Sequence, residues 1–317
     1  MKLIIQIPCY NEAKTLAIAL RELPKNISGI DETEYLIIDD GSIDDTVEEA
    51  RKCGVHHIVR HTHNMGLAKA FMTGLNACLE LGADIIVNTD ADNQYCAADI
   101  EKIVAPILRK EADMVIGVRP IDTIEHFSFL KKQLQRLGSW MVRKVSGTDV
   151  ADAPSGFRAI SRNGALQLNV FTRYTYTLET IIQAGHKNLK VLSVPIRVNE
   201  DLRPSRLVSS IPSYVRKSIF TMLRVFVIYR PFAFLCTIAS VVFGAGFLIG
   251  LRFLYLYTTG SGSGHIQSLI LASILLLSGF QTFLIAFIAD LISVNRKLLE
   301  ELQYNQRKNK LTAGNKG

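Results

Sequence analysis

Leu3-Ile4-Ile5-Gln6-Ile7, followed at once by Pro8-Cys9-Tyr10-Asn11-Glu12, is the stretch on which the fold of this chain turns. A short, β-branched apolar run without alternation reads as a strand buried on both faces, and the polar cluster that ends it reads as a loop. The same pattern recurs. Tyr35–Ile38 leads into Asp39-Asp40-Gly41-Ser42, His57–Val59 is a third apolar run, Ile85–Val87 leads to Asp90-Ala91-Asp92-Asn93-Gln94, and Met114–Val118 ends in Gly117-Val118-Arg119. Helical patterns separate the runs. Leu16, Leu20 and Leu23 lie at helical spacing, and Ser42 with Asp45 three residues later resembles a capping box opening a second helix. Strands alternating with helices over the first 120 residues predict an α/β fold with a mostly parallel sheet and right-handed crossovers.

In such a sheet the carboxyl ends of the strands share one edge, where ligands bind. Four polar clusters therefore converge on one crevice. No Walker A loop or dinucleotide glycine fingerprint follows the first strand, which excludes the P-loop and NAD classes. Asp90 and Asp92 suit a hard divalent cation of the kind that neutralises the phosphates of a nucleoside diphosphate leaving group. On an extended segment residues i and i+2 face one side, so Asp92 and Gln94 are expected beside Asp90 on that cation. Asp39 and Asp40 could accept hydrogen bonds from ribose hydroxyls or base N–H groups, or could simply form a turn and helix N-terminus. Gly66 permits close backbone approach ahead of a helix, where Lys69 could meet a phosphate or be a solvated lysine.

The composition changes near residue 230. Phe232–Leu251 and Ile266–Ala289 carry no charge, and each is long enough to cross a hydrocarbon core that takes about 20 apolar residues. Arg216, Lys217, Arg224 and Arg230 precede the first stretch, and Arg296, Lys297, Arg307, Lys308 and Lys310 follow the second, while Thr258–His265 between them is uncharged. The positive-inside rule then puts both termini and the α/β domain in the cytosol and the chain in the cell membrane. Arg252 is read as snorkelling to the headgroups. The expected division is 1–208 for the catalytic domain, 209–231 for an amphipathic interfacial segment, 232–257 and 266–294 for a transmembrane hairpin, and 295–317 for a basic tail. Residues 197–230 hold seven basic side chains against Glu200 and Asp201, mixed from Ile211 onward with Tyr214, Phe220, Leu223 and Phe226, which suits anionic lipid headgroups. A net charge of +7 without aromatic-interleaved basic stretches argues against nucleic acid as a partner. Gly244, Gly246 and Gly250 have a small-residue spacing compatible with helix contact in a homo-oligomer. Only five apolar residues precede Pro8, too few for a secretory signal, and Cys9, Cys53, Cys78, Cys96 and Cys236 lack zinc or disulfide spacing.

Pro8-Cys9-Tyr10-Asn11-Glu12, Asp39-Asp40-Gly41-Ser42, Asn64-Met65-Gly66-Leu67-Ala68, Asp90-Ala91-Asp92-Asn93-Gln94 and Asp152-Ala153-Pro154-Ser155-Gly156-Phe157-Arg158 stand in the order found in family 2 glycosyltransferases of the GT-A fold. From Ile4 to about Arg206 the chain resembles that family. With the apolar hairpin added it is similar to the polyprenyl-phosphate glycosyltransferases, relatives of dolichyl-phosphate mannose synthase and the bactoprenol glucosyltransferases. The resemblance implies that Pro8, Tyr10, Glu12 and one of Asp39 or Asp40 hold the nucleoside, that Asp90 and Ala91 touch ribose and diphosphate, and that Asp92 and Gln94 ligate Mg²⁺ or Mn²⁺. Asn93 and Tyr95 depart from the family, which often has Gly or Leu and usually His at those places.

The same resemblance implies inversion at the anomeric carbon, with a nucleotide sugar as donor and a polyprenyl phosphate as acceptor. A lipid phosphate is already anionic, so it needs positioning and neutralisation more than a base. Arg119 and Arg206 match the family's cationic segments, with Arg203, Lys132 and Arg136 behind them. Asp152 is the family's candidate base or acceptor-site carboxylate, or else it orients Arg158 or the sugar hydroxyls. A processive polysaccharide synthase is the nearest rival, but Gln133-Leu134-Gln135-Arg136-Leu137 lacks the Trp of such enzymes. A non-catalytic scaffold that binds nucleotide sugar is the rival from another class, and loss of the Asp pair would favour it.

Overall fold

The computed structural model describes residues 1–120, 129–170, 176–200, 216, 219–220, 223–224, 227–260 and 264–314. The chain divides into two units, Met1–Ile219 with Glu301–Gly317, and Phe220–Glu300.

The first unit is built on a seven-stranded sheet. In chain order it contains β1 (Lys2–Cys9), α1 (Ala13–Glu22), β2 (Glu32–Asp39), α2 (Thr46–Lys52), β3 (His57–Arg60), α3 (Leu67–Glu80), β4 (Ile85–Asn88), α4 (Ile100–Leu108), β5 (Met114–Val118), α5 (Phe129–Ser146), β6 (Arg158–Ser161), α6 (Arg162–Gln167), α7 (Thr177–His186) and β7 (Val191–Pro195). The spatial order is β3-β2-β1-β4-β6-β5-β7. Strands β1 to β4 run parallel, as does the pair β5 and β7, while β6 lies antiparallel between β4 and β5. The expected parallel sheet is present. Its antiparallel member was not anticipated.

Leu3, Ile4, Ile5 and Ile7 of β1 and Ile85, Ile86 and Val87 of β4 are wholly buried, because helices cover both faces of these central strands. Leu16 and Leu20 of α1 and Leu23 at its end are buried, as their spacing predicts. The capping expectation is corrected. Helix α2 begins at Thr46 with Asp45 at its N-cap, and Ser42 instead accepts the Asn11 N–H at 2.8 Å, tying the first loop to the second.

Residues of the C-terminal helix return to this unit. Arg307 donates to the Leu168 carbonyl at 2.6 Å, and Lys310 pairs with Glu80 at 2.9 Å. Residues 301–314 of the segment read as a basic tail are thus helical and pack within the unit that holds the sheet.

The second unit contains α8 (Pro231–Thr258) and the larger part of α9 (Ile266–Gly314). Both helices are long and apolar enough to cross a membrane. Their apolar side chains face outward, Leu248 being 67% and Leu277 60% exposed, a surface that water would disfavour and lipid would accept. The helices approach closely at glycines. A Cβ on Gly246 would lie 2.8 Å from Leu275 Cβ, and one on Gly279 would lie 2.7 Å from Phe243 Cβ. Gly246 therefore serves contact within the hairpin, whereas nothing lies within 4 Å of a Cβ on Gly244.

Candidate functional site

The carboxyl ends of β1, β2, β4 and β5 and the amino end of antiparallel β6 open on one edge of the sheet. Antiparallel insertion matters here because it delivers the loop Asp152–Phe157 to the edge already occupied by Asp90 and Arg119.

Asp39 and Asp40 differ in role. Asp40 accepts from the Met65 and Gly66 amides at 2.9 and 2.8 Å and from His61 Nδ1 at 2.7 Å, so both its oxygens fasten the loop ahead of α3. His61 in turn meets Thr73 Oγ1 through Nε2 at 3.0 Å. Gly41 makes this possible: it sits at φ +74°, and a Cβ there would lie 2.5 Å from the His63 carbonyl carbon. Asp39 is equally buried, yet only Oδ1 is bonded, to the Ser42 amide at 3.0 Å. Its Oδ2 lies 3.0 Å from Arg60 Nε but accepts no hydrogen bond. A buried carboxylate oxygen without a donor is costly unless a ligand supplies one.

Pro8 is buried at the end of β1, and Tyr10 beyond it is exposed. Glu12 is buried; its amide donates to Thr46 Oγ1 at 2.9 Å and its carboxylate accepts from Thr15 at 2.9 Å. Lys69 stands exposed in the first turn of α3.

The segment after β4 is not extended. A turn at 91–92 and a left-handed Asn93, φ +59°, replace the alternation expected from sequence, and the Gln94 amide donates to Asp92 Oδ1 at 3.2 Å. Ala91 is buried while Asp90, Asp92 and Gln94 are partly buried. Asn199 holds the turn, its amide donating to Gln94 O at 2.8 Å and its side chain to Asn93 O at 3.0 Å. Asp99 fixes the neighbouring chain through Arg197 and Lys102. Burial first, and then the Asp92 charge, push Asp90 up to about 7 despite the opposing charges of Arg119 and Arg158. The neighbouring Asp90 and Asp92 carboxylates and the Gln94 amide are hard-oxygen groups of the kind that Mg²⁺ or Mn²⁺ takes when substrate phosphates complete the shell. Among the described residues no group of three His, Cys, Asp or Glu could hold a metal unaided.

Arg119 and Asp152 form a two-point ion pair, Nε to Oδ2 at 2.7 Å and Nη2 to Oδ1 at 2.9 Å. Burial by itself would lower the Arg119 pKa, but Tyr95, Asp152 and Asp90 hold it above its ordinary value. Asp152 thus orients Arg119 and not Arg158. Arg158, fully buried, donates to the carbonyls of Thr177 and Ser155 and to Thr180 Oγ1, with its guanidinium carbon 5.2 Å from the Tyr176 ring centre. Arg136 is exposed on α5. The Lys132 side chain and all of Arg203 and Arg206 lie outside the described residues.

Beneath the site runs a polar chain that strand reading overlooked. Gln6 Nε2 donates to Asn88 Oδ1 at 2.9 Å, and Asn88 Nδ2 donates to Tyr176 Oη at 2.9 Å and to Gly156 O at 3.0 Å. Gln6 and Asn88 were visible as polar residues at positions that should be apolar. Tyr95, which stands in place of the family's His, accepts the Gly156 amide at 3.1 Å and stacks on Phe157 at 5.1 Å.

The Glycosyl transferase family 2 profile matches residues 4–167. A UDP-N-acetylglucosamine–dolichyl-phosphate N-acetylglucosaminyltransferase of Methanococcus voltae is 32% identical over 212 residues, covering 60% of this chain and 83% of that one. An undecaprenyl-phosphate mannosyltransferase of Micrococcus luteus is 26% identical over 218 residues, 65% of this chain and 88% of its own. Among solved structures, glucosyl-3-phosphoglycerate synthase from Mycobacterium tuberculosis, in complex with Mn²⁺, UDP and glucosyl-3-phosphoglycerate, superposes with a TM-score of 0.55 at 18% identity over 71% of this chain and 78% of that one. The fold is GT-A-like. With the carboxylates and arginines gathered at the ligand-binding edge of such a sheet, and with relatives that act on polyprenyl phosphates, the chain belongs to glycosyl transferase family 2 and is a glycosyltransferase.

Proposed function

We propose that this enzyme moves a sugar from a nucleoside diphosphate sugar to a polyprenyl phosphate, with inversion, at the cytosolic face of the cell membrane. The observation that carries the reading is the Arg119–Asp152 pair beside Asp90, on a chain that also holds two helices apolar enough to cross a bilayer. A fixed guanidinium next to a carboxylate pair gives an anionic acceptor and a metal-bound diphosphate adjoining places.

Asp39 Oδ2 receives a ribose or base donor, while Asp40 supports the loop that closes over the nucleoside. Pro8, Tyr10, Glu12 and Ala91 line that side, and Lys69 faces the phosphates. Asp92 and Gln94, with Asp90, would hold Mg²⁺ or Mn²⁺, which when bound neutralises charge on the leaving diphosphate. Asp152 spends two of Arg119's five N–H groups and leaves the rest for the acceptor phosphate. Lys132, Arg136, Arg203 and Arg206 are the further cations for that phosphate. Asp152 acts through Arg119, since a phosphate nucleophile carries its own charge and needs no base.

Membranes containing the enzyme are incubated with labelled donor and polyprenyl phosphate, then extracted with organic solvent. Metal-dependent label in the lipid phase that is lost in Asp92→Ala supports the reading. Insoluble polymer would mark a polysaccharide synthase, and no transfer a nucleotide-sugar-binding scaffold.

A further inference from the structure

Helix α5 carries Lys132 and Arg136, proposed above for the acceptor phosphate, and beside them a surface to which the transfer reaction gives no role. Its buried side is Ser139, Val142, Val145 and Ser146, while Gln133, Arg136, Leu137, Trp140, Arg143 and Lys144 are exposed. At 3.6 residues per turn the exposed six fall on one stripe, with Trp140 in the middle. Trp140 is 48% and Leu137 47% exposed, which leaves two large apolar groups in water flanked by guanidinium and ammonium groups. The helix has five basic residues and no acidic one. Arg143 lies 3.8 Å from the fully exposed Asp149.

We infer that this face of α5 docks on the anionic headgroup layer of the membrane, Trp140 and Leu137 entering the interface and Arg143 and Lys144 meeting lipid phosphates. Trp is the side chain best suited to the headgroup level, and a basic rim around an apolar centre is the pattern of interfacial helices. The charge selects the occupant. Three basic side chains and no acidic one among the described residues of this stripe complement anionic lipid and would repel a second copy of the same face. The proposal rests on the reading of α8 and α9 as membrane spans, which keep a lipid surface at high local concentration.

Trp140 is the chain's single tryptophan, so its fluorescence reports this contact directly. The full chain is reconstituted in phosphatidylcholine vesicles with or without phosphatidylglycerol, each with or without brominated acyl chains. In anionic vesicles the emission moves to the blue, brominated lipid quenches it, and iodide in the buffer does not; in neutral vesicles all three effects weaken. The double substitution Arg143→Gln with Lys144→Gln reduces the docking equilibrium about 30-fold, the factor expected for two basic groups at an anionic surface. Emission open to iodide and indifferent to brominated lipid in both vesicles overturns the proposal. So does protection from iodide without bromine quenching, which would mean that protein covers the face. Lipid-linked sugar is assayed on the same vesicles: docking without transfer would sink the acceptor reading alone, and transfer without docking would sink this one alone.

Discussion

Arg119 and Asp152 are joined at two points, at 2.7 and 2.9 Å, and the Arg119 amide adds a third contact to the same carboxylate at 3.3 Å. The carboxylate is fully buried and the arginine side chain is 9% exposed, so the pair is held in one geometry and presents little more than the guanidinium edge. A base with both oxygens so engaged is poorly placed to take a proton. A carboxylate that aims an arginine is well placed.

Asp152→Asn should therefore behave as a loss of positioning. Removing one partner of a buried pair costs about 3–5 kcal/mol of stability, and a misplaced guanidinium costs about 10²-fold in turnover. Steady-state kinetics should show the acceptor KM rising with nucleotide affinity unchanged. The acid limb of the pH–rate profile should stay where it is; its disappearance would mark Asp152 as a base after all.

The two aspartates after β2 should separate in the same way. Asp40→Ala strands the Met65 and Gly66 amides, at about 1–3 kcal/mol for each buried donor left unsatisfied, and should lower the melting temperature. Asp39→Asn should leave stability nearly intact and weaken UDP or GDP binding by roughly tenfold, the worth of one hydrogen bond to a charged group. Equal losses of nucleotide binding in the two variants would argue against this division.

These partners mark where sequence reading stopped. Strands β1 to β5 were legible as short apolar runs, the central ones β1 and β4 covered on both faces, and their polar ends were legible because parallel strands aim them at one edge. The insertion of antiparallel β6 between β4 and β5 was not, since strand order depends on crossovers that leave no local pattern. Asp39 and Asp40 stood side by side as equivalents; only Gly41's left-handed turn, which brings the 63–66 loop within reach, assigns one to the loop. The turn around Asn93 was misread as extended because the carboxylate spacing suits either conformation. Arg158 could not be told from a solvent-facing arginine until Thr177, Thr180 and Ser155 closed around it.

Asp99 gives a stability test in acid. Burial alone would raise its pKa from 3.8, but Arg197, Lys102 and the Arg197 amide outweigh that and hold it at about 2. Because folding depresses this pKa, the stabilisation is present above the unfolded value and is lost as pH falls through the folded one. The shift corresponds to roughly 2 kcal/mol, reduced to about 1 because Arg197 and Lys102 are themselves largely solvated. Asp99→Asn should flatten the fall in melting temperature between about pH 4 and pH 2; a variant that loses stability there as steeply as the parent would show that Asp99 is not the group responsible.

Gly156 tests whether the donor side depends on the packing beneath it. A Cβ at this position would lie 2.9 Å from Tyr176 Oη and 3.2 Å from Asp90 Oδ2. Tyr176 cannot retreat, because Asn88 holds its hydroxyl at 2.9 Å and its ring stacks on Phe71 at 4.0 Å. Asp90 must then move. Gly156→Ala should cost about 1–3 kcal/mol by overpacking, and its larger effect should fall on the metal requirement, with more Mg²⁺ or Mn²⁺ needed for half-maximal transfer. Tyr176→Phe removes the atom with which the new methyl collides hardest. The alanine should therefore cost less in that background, giving a coupling of about 0.5–3 kcal/mol in a double-mutant cycle. Additive costs would mean that the methyl is absorbed elsewhere, and that Asp90 keeps its place without Gly156.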